Sequence, residues 1–319
     1  MADYKVDLNQ RYWEYQKSQF PTGQNFFERS YAQDRRPPVF VRHEAWRNVI
    51  IDPLASQQGK DRLLGLIPEG EKHKWFGSMN SSQALAQSVL GNLATHSSLH
   101  YLSELKDDEG MPLFGKAQIA TGNFEMEHKI NYLGEPRHTS LDGYISGAYR
   151  IAIECKFTEP EVGTCSRPRL GPTASNYKSE HCNGAYLVQR ARKERCSLTE
   201  VGVFYWRYIP DLFKWENDSD LNPCPLRKNY QLVRNILAVG VQPGGTVSLY
   251  DGHVILIYDE RNPAFQKAGD GLFAYLETRT ALQEPTMLRK CSWQRIVQCL
   301  RENNILPWLI KNLSLKYGL

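Results

Sequence analysis

The sequence has no apolar run long enough to cross a bilayer, and its first ten residues, MADYKVDLNQ, lack the basic-then-apolar layout of a secretory signal. The expectation is a cytoplasmic protein with no membrane partner. The short motifs that announce several enzyme classes are also missing. There is no GxxxxGKS/T phosphate loop, no GxGxxG dinucleotide fingerprint, no HExxH helix and no GxSxG elbow. P-loop, dinucleotide-binding, zincin and serine-hydrolase chemistries lose their usual signatures with them. No helix-turn-helix and no finger of regularly spaced Cys and His can be assigned, and no internal repeat or low-complexity tract stands out. Charge of one sign is not in large excess: 39 Lys and Arg face 35 Asp and Glu, a net +4, which admits a nucleic-acid partner without requiring one. Seven cysteines, an odd number without a C-x-x-C pair, point to a reducing compartment rather than a disulfide framework.

What is there is ample chain, 319 residues, for a sizeable core. Its most informative stretch is Tyr149 to Glu159, YRIAIECKFTE. Ile151, Ile153, Cys155 and Phe157 alternate with Ala152, Glu154 and Lys156, the pattern of a buried strand. Glu154 and Lys156 then project from one face. Just upstream, HTSLDGYISG reads as a second strand, with Asp142 and Tyr144 on one side, Leu141 and Ile145 on the other, and Gly147 permitting the turn between them. An antiparallel pairing gathers Asp142, Glu154 and Lys156 into one cluster. Two carboxylates at that distance repel, and a shared divalent cation removes the conflict. Oxygen-only ligands favour Mg²⁺ or Mn²⁺ over zinc. Such an ion polarises a phosphodiester and lowers the pKa of water, while Lys156, whose pKa can be lowered near a cation and in a cleft, positions or activates the attacking water or stabilises the pentacovalent phosphorus.

The chain contains three E-x-K triplets, at Glu104, Glu127 and Glu154. Only the third combines a buried strand with a preceding Asp-bearing strand. An ordinary salt bridge on a sheet face is the competing reading of the same residues. The pattern D-x11-E-x-K across two strands resembles the PD-(D/E)XK nuclease superfamily, with its restriction-endonuclease-like fold. The segments IECKFTE and YQLVRN resemble those of one bacterial family of restriction endonucleases. The resemblance implies that Asp142 and Glu154 bind metal, that Lys156 is the catalytic lysine, and that restriction or phage defence is the setting.

The rest of the chain fits that core around the cluster. GNFEMEHKI, 122–130, alternates as a first strand, with Phe124, Met126, His128 and Ile130 on one face and Glu125 and Glu127 on the other. Glu127 is therefore a candidate third carboxylate, or a solvent-facing one. A helix starts at Ser81 or Ser82, with Leu85, Val89 and Leu93 on its apolar face. In many nucleases of the superfamily this helix gives an acid to the metal; here it has none, and the resemblance brings Gln83 near the site instead. His138 stands four residues before Asp142, where it could touch phosphate or simply hold a turn. CPLRKNYQLVRNILAVGV predicts a helix from about Asn229, whose Gln231 the resemblance sets beside the metal cluster. Arg234 is a phosphate fork or else an ion-pair partner of Asp259 or Glu260. HVILIYDE, 253–260, predicts a buried strand that closes the core.

Residues 161–225 form an insertion with Cys165, Cys182, Cys196 and Cys224. They could hold a tetrahedral structural zinc, although without a close knuckle they could equally be unconnected thiols. Its middle predicts a basic helix with Arg190, Arg192, Lys193 and Arg195, suited to a DNA backbone or to solvent. VGVFYWRYI, 201–209, reads as a strand-like or buried aromatic segment. The expected organisation is an aromatic and basic extension over 1–75, a nuclease core over 76–262 containing the insertion, and a helical tail over 263–319. Arg35, Arg36, Arg42 and Arg47 make that extension a DNA-touching arm or a solvated layer. In the tail, Met287 to Asn303 predicts one helix, in which Trp293 is core. The fold class expected is thus α/β: helix, three-stranded meander, helix and strand in a mixed sheet flanked by helices. The function expected is metal-dependent hydrolysis of DNA, by a homodimer where both strands are cut and with a partner protein if the reaction must be licensed. A catalytically silent DNA-binding or structural subunit is the alternative.

Overall fold

A computed structural model describes residues 2–31, 36–107, 109–115, 119, 123–186, 196–215, 219 and 221–319. The chain opens with helix α1, Ala2–Gln19, and α2, Gln57–Leu64. Helix α3 is built of Ser82–Ala86, a π-turn at Gln87–Gly91, and Asn92–Thr95. Its start is capped by Ser81, whose hydroxyl accepts from the Ala84 N–H at 3.2 Å. Strands β1, Asn123–Ile130, β2, Thr139–Ser146, and β3, Arg150–Cys155, follow. Between β3 and β4 come α4, Tyr205–Leu212, and α5, Leu226–Gly240. The chain ends with β4, Gly252–Tyr258, α6, Asp270–Ala281, β5, Leu288–Ser292, α7, Trp293–Glu302, and α8, Pro307–Tyr317. No helix among the described residues is long and apolar enough to cross a membrane.

The five strands form one mixed sheet in the order β1-β2-β3-β4-β5. The first three make an antiparallel meander, and β3–β4 and β4–β5 are parallel. The period-two alternation of the central strands explains why both faces are covered. Ile151, Ile153, Cys155, Ile255 and Ile257 enter a core with α1, α3, α7 and α8. Ala152, Val254 and Leu256 enter a second core with α4, α5 and α6. Full burial of such a side chain contributes about 1.5–3 kcal/mol, so the alternation alone fixes β3 and β4 between the two helical layers. Arg150 then sets α5 along β3. Its guanidinium donates to the carbonyl oxygens of Ala238, Val239 and Val241 at the helix end, where unpaired acceptors and the dipole favour a cation.

Four expectations are corrected. Residues 288–292 form strand β5 rather than the start of a helix, because the register pairs Val254 with Leu288 and Tyr258 with Ser292. Of the two readings of 201–209, the buried aromatic segment holds and the strand does not: Tyr205–Leu212 is a short helix that buries Tyr205, Trp206, Tyr208 and Ile209. The simple two-faced alternation fails in β1 and β2. Met126 packs in one core and Ile130 in the other, as do Ile145 and Leu141. The switch falls at Glu127, which has a positive φ of 51° in mid-strand. Finally, Arg234 makes no ion pair with Asp259, which is held by Arg261 at 2.6 Å; it donates weakly to the Ser140 carbonyl at 3.4 Å. The basic segment with Arg190, Arg192, Lys193 and Arg195, and also Arg35, lies outside the described residues.

The terminal helices are keyed to the N-terminal layer by a buried cation. Lys316 of α8 donates to the Asn48 carbonyl at 2.6 Å and to Asn48 Oδ1 at 2.7 Å. Burial without a counter-charge pulls its ammonium down to about 7. An unfolded lysine titrates at about 10.4, so between these values the unfolded chain binds more protons and stability rises with pH. Urea denaturation of wild type and Lys316→Met should show wild type gaining relative to the variant by on the order of 1–4 kcal/mol between about pH 7 and pH 10. A constant difference across that range would refute the buried ammonium.

Candidate active site

The structure brings Glu154, Lys156, Gln231 and Asn235 into one hydrogen-bonded set. Glu154 is 1% exposed and Lys156 8% exposed, so neither charge has much water around it. Lys156 Nζ lies 2.8 Å from Glu154 Oε1 and donates to Gln231 Oε1 at 3.0 Å. Gln231 Nε2 in turn donates to Glu154 Oε1 at 2.7 Å, and Asn235 Nδ2 to Glu154 Oε2 at 2.7 Å. Gln231 and Asn235 are four apart on α5 and therefore share a helix face. Burial alone would lower the Lys156 pKa, but Glu154, Glu159 and Asp142 overcome it and hold the ammonium above the ordinary lysine value.

Asp142 and Glu127 stand on the neighbouring strands. Asp142 Oδ2 accepts from the Cys155 N–H at 2.6 Å. Burial, together with Glu154 and Glu127, pushes its pKa well up. Glu127 accepts from Gln83 Nε2 at 2.5 Å and from Ser140 Oγ at 2.5 Å. Burial raises its pKa too, with Glu154 adding to the effect. The helix that carries no acid thus reaches the carboxylates through an amide. Gln83 is itself fixed, accepting from the His73 N–H at 2.8 Å and donating to the Glu71 carbonyl at 3.0 Å. The positive φ of Glu127 is costly for a side chain with a Cβ and belongs to this same point of the sheet. Among the described residues, no group of three or more His, Cys, Asp or Glu side chains is arranged to hold a metal ion. Each of these carboxylates is instead engaged by protein donors.

Asp142, Glu127 and Gln83 open onto a cleft of about 630 Å³ whose walls carry Lys72, Lys74, Lys129, Arg137 and His138. An adjoining hollow of about 450 Å³ shares Arg137 and His138 and adds Arg167 and Arg234. Three features escaped the sequence reading. Asn235 was missed although it follows Gln231 by one turn, a spacing that would have found it. Glu159 was missed as an electrostatic neighbour of Lys156; it accepts from Ser82 Oγ and from the Phe157 N–H, both at 2.6 Å. The basic run at 72–74 was missed because nothing local ties it to β2. Trp293 is core and donates to the Lys156 carbonyl at 3.0 Å. Arg47 stacks on Phe26 and Trp46 and pairs with Glu44, and the buried Cys155 thiol is pushed well up, away from nucleophilic use.

The chain belongs to the family described as restriction endonuclease associating with ARP, whose model matches residues 7–318. Comparison with curated proteins and with solved structures returned no match. Within the site, Asn235 gives a test that needs no activity. Asn235→Ala removes one donor from a buried carboxylate and should cost about 1–3 kcal/mol in urea denaturation. Asn235→Asp sets a second carboxylate against Glu154 and should cost more at neutral pH. Equal tolerance of the two would refute the assignment of that donor to Glu154.

Proposed function

We propose that the chain is a metal-dependent endonuclease of the PD-(D/E)XK type that hydrolyses DNA phosphodiester bonds. The observation that carries this is one cluster: carboxylates from three successive strands, Glu127, Asp142 and Glu154, around Lys156 at the edge of a cleft with basic side chains on its wall. Membership in a restriction-endonuclease family supports it. So does the order of the core, a helix, a three-stranded antiparallel meander, a helix and a parallel strand.

The donor set fits a hard divalent cation, Mg²⁺ or Mn²⁺. It is made of oxygen ligands only, and burial together with neighbouring carboxylates raises the pKa of Asp142 and Glu127, a conflict that a cation relieves. Asp142 and Glu154 would hold the ion, with Glu127 adjacent. Bound there, it supplies charge for the phosphoryl oxygens and an acidified water. The protein groups do the rest. Lys156 donates to a phosphate oxygen or holds the attacking water. Gln231 fixes the ammonium by accepting from it, and Asn235 keeps Glu154 from rotating away. Lys72, Lys74, Lys129 and Arg137 on the cleft wall, with Arg234 and Arg167 in the adjoining hollow, suit successive backbone phosphates. Two such sites are needed to cut both strands, which favours a homodimer. The family's description names an association with ARP, and a licensing partner in a phage-defence setting agrees with that.

Supercoiled plasmid incubated with Mg²⁺, Mn²⁺ or EDTA tests the reading directly. Wild type should nick or linearise it only with the metals, and Lys156→Ala and Asp142→Ala should each lose about 100-fold or more of that rate. Cleavage that survives both substitutions would overturn the site. Salt-sensitive DNA binding without cleavage would favour the silent, DNA-binding subunit instead.

A further inference from the structure

We infer that Cys165, Cys182, Cys196 and Cys224 bind one structural zinc ion that pins the insertion to the start of α5. These cysteines are spread over the insertion, yet all four line a single cavity of about 20 Å³, closed further by Pro168, Leu198 and Leu226. About 10–15 Å³ of such space accommodates one water-sized body, so this cavity takes a single ion and not a multi-iron cluster. None of the four is in a disulfide.

A second observation is independent of their proximity. Three of the sulfurs accept from the peptide N–H two residues further on: Cys165 from Arg167, Cys182 from Gly184 and Cys224 from Leu226. Cys182 also accepts from the Ser197 N–H. Backbone donors turned onto sulfur stabilise a thiolate more than a thiol, and a thiolate is what zinc requires. Gly184 makes its turn with a φ of +78°, a conformation suited to glycine. Zinc binding to cysteine displaces the thiol protons. The four side chains are not arranged around one point as they stand. All four already border the same space, and zinc binding would draw the sulfurs together.

The site bears on α5 directly. The Cys165 N–H donates to the carbonyls of Leu226 and Arg227, each at 3.3 Å, in the first turn of that helix. Two residues before Cys165, the Gly163 carbonyl accepts from the Gln231 N–H at 3.3 Å. Gly163 has a φ of +112°, and a Cβ there would stand 2.3 Å from Gln231 Oε1. Zinc would therefore hold the loop that backs Gln231 without taking part in the chemistry.

The full chain, expressed with added zinc and purified under reducing conditions without chelator, should carry about one zinc per chain by elemental analysis. A thiol-specific mercurial should release that zinc in step with its reaction. Cys182→Ala/Cys224→Ala should lose the zinc, whereas Cys299→Ser and Lys156→Ala should keep it. The Lys156→Ala result separates this site from the nuclease reading, since zinc retained in a cleavage-dead variant supports the structural site whatever the plasmid shows. As the double variant can fail to fold, Co²⁺ substitution in wild type is the second measurement. Sulfur-to-cobalt charge-transfer absorption is expected. Zinc well below equimolar in wild type, iron in its place, zinc retained by the double variant, or a cobalt spectrum without sulfur ligation would each overturn the inference.

Discussion

A buried carboxylate in the centre of a sheet is the constraint that orders this molecule. Glu154 sits on β3 between two helical layers, and an ionised carboxylate in such a place costs several kcal/mol unless donors surround it. Three side chains supply them: Lys156 from its own strand, and Gln231 and Asn235 from α5. The strand donor is automatic, because residues two apart share a face. The helix donors are not, since they need α5 at one height and one rotation along β3. Arg150 provides the height by binding the carbonyls at the end of α5, one strand-length from Glu154. The apolar residues Leu232, Val233, Ile236 and Leu237 provide the rotation by burying the opposite sides.

The same arrangement leaves a tension. Asp142 and Glu127 are drawn toward Glu154 by strand pairing; burial and Glu154 raise the proton affinity of both, and Glu127 adds to that of Asp142. The protein softens this with local donors: a peptide N–H for Asp142, an amide and a hydroxyl for Glu127. An ordinary core has no reason to gather three carboxylates and then recruit an amide from a separate helix to calm one of them. Strained backbone at Glu127 adds to the cost. Local expense without structural return is what function looks like in a fold whose other levels agree.

How much of this was legible in the sequence depended on the range of the forces involved. The meander and the Glu154–Lys156 pair follow from period-two alternation, which is local, and the structure pairs Ile145 with Ile151 and Gly143 with Ile153 as the turn at Gly147 implies. The helix from Ser81 follows from its cap and spacing. The face switch at Glu127 does not, because it comes from one left-handed residue that no pattern of apolar side chains announces. Strand β5 was hidden for a different reason. LRKCS carries two basic residues, and it is a strand only because β4 offers it a parallel edge. Tyr205–Leu212 shows the reverse error: aromatic and β-branched residues suggest a strand, and packing against α5 makes them a helix. The resemblance supplied Gln231, which no local rule selects. Asn235 needed only one more helical turn.

The segment between β3 and α5 is the remaining piece, and its position argues that it is no passive surface addition. It leaves the core directly after Lys156 and returns at the residue that begins α5, so both of its ends lie within a few residues of the site. A loop of that length closes at modest entropic cost, but its free ends would leave Gly163 and the first turn of α5 weakly defined. Those are the elements that back Gln231. The kink at Asn229, where φ is −108°, shows that the first turn is set by its surroundings rather than by helix propagation. Asn229 donates to Glu277 of α6 at 2.8 Å, and Cys165 binds the carbonyls just before it. The orientation of Gln231, and through it of Lys156, is therefore fixed from outside the helix, by the packing of the insertion against it.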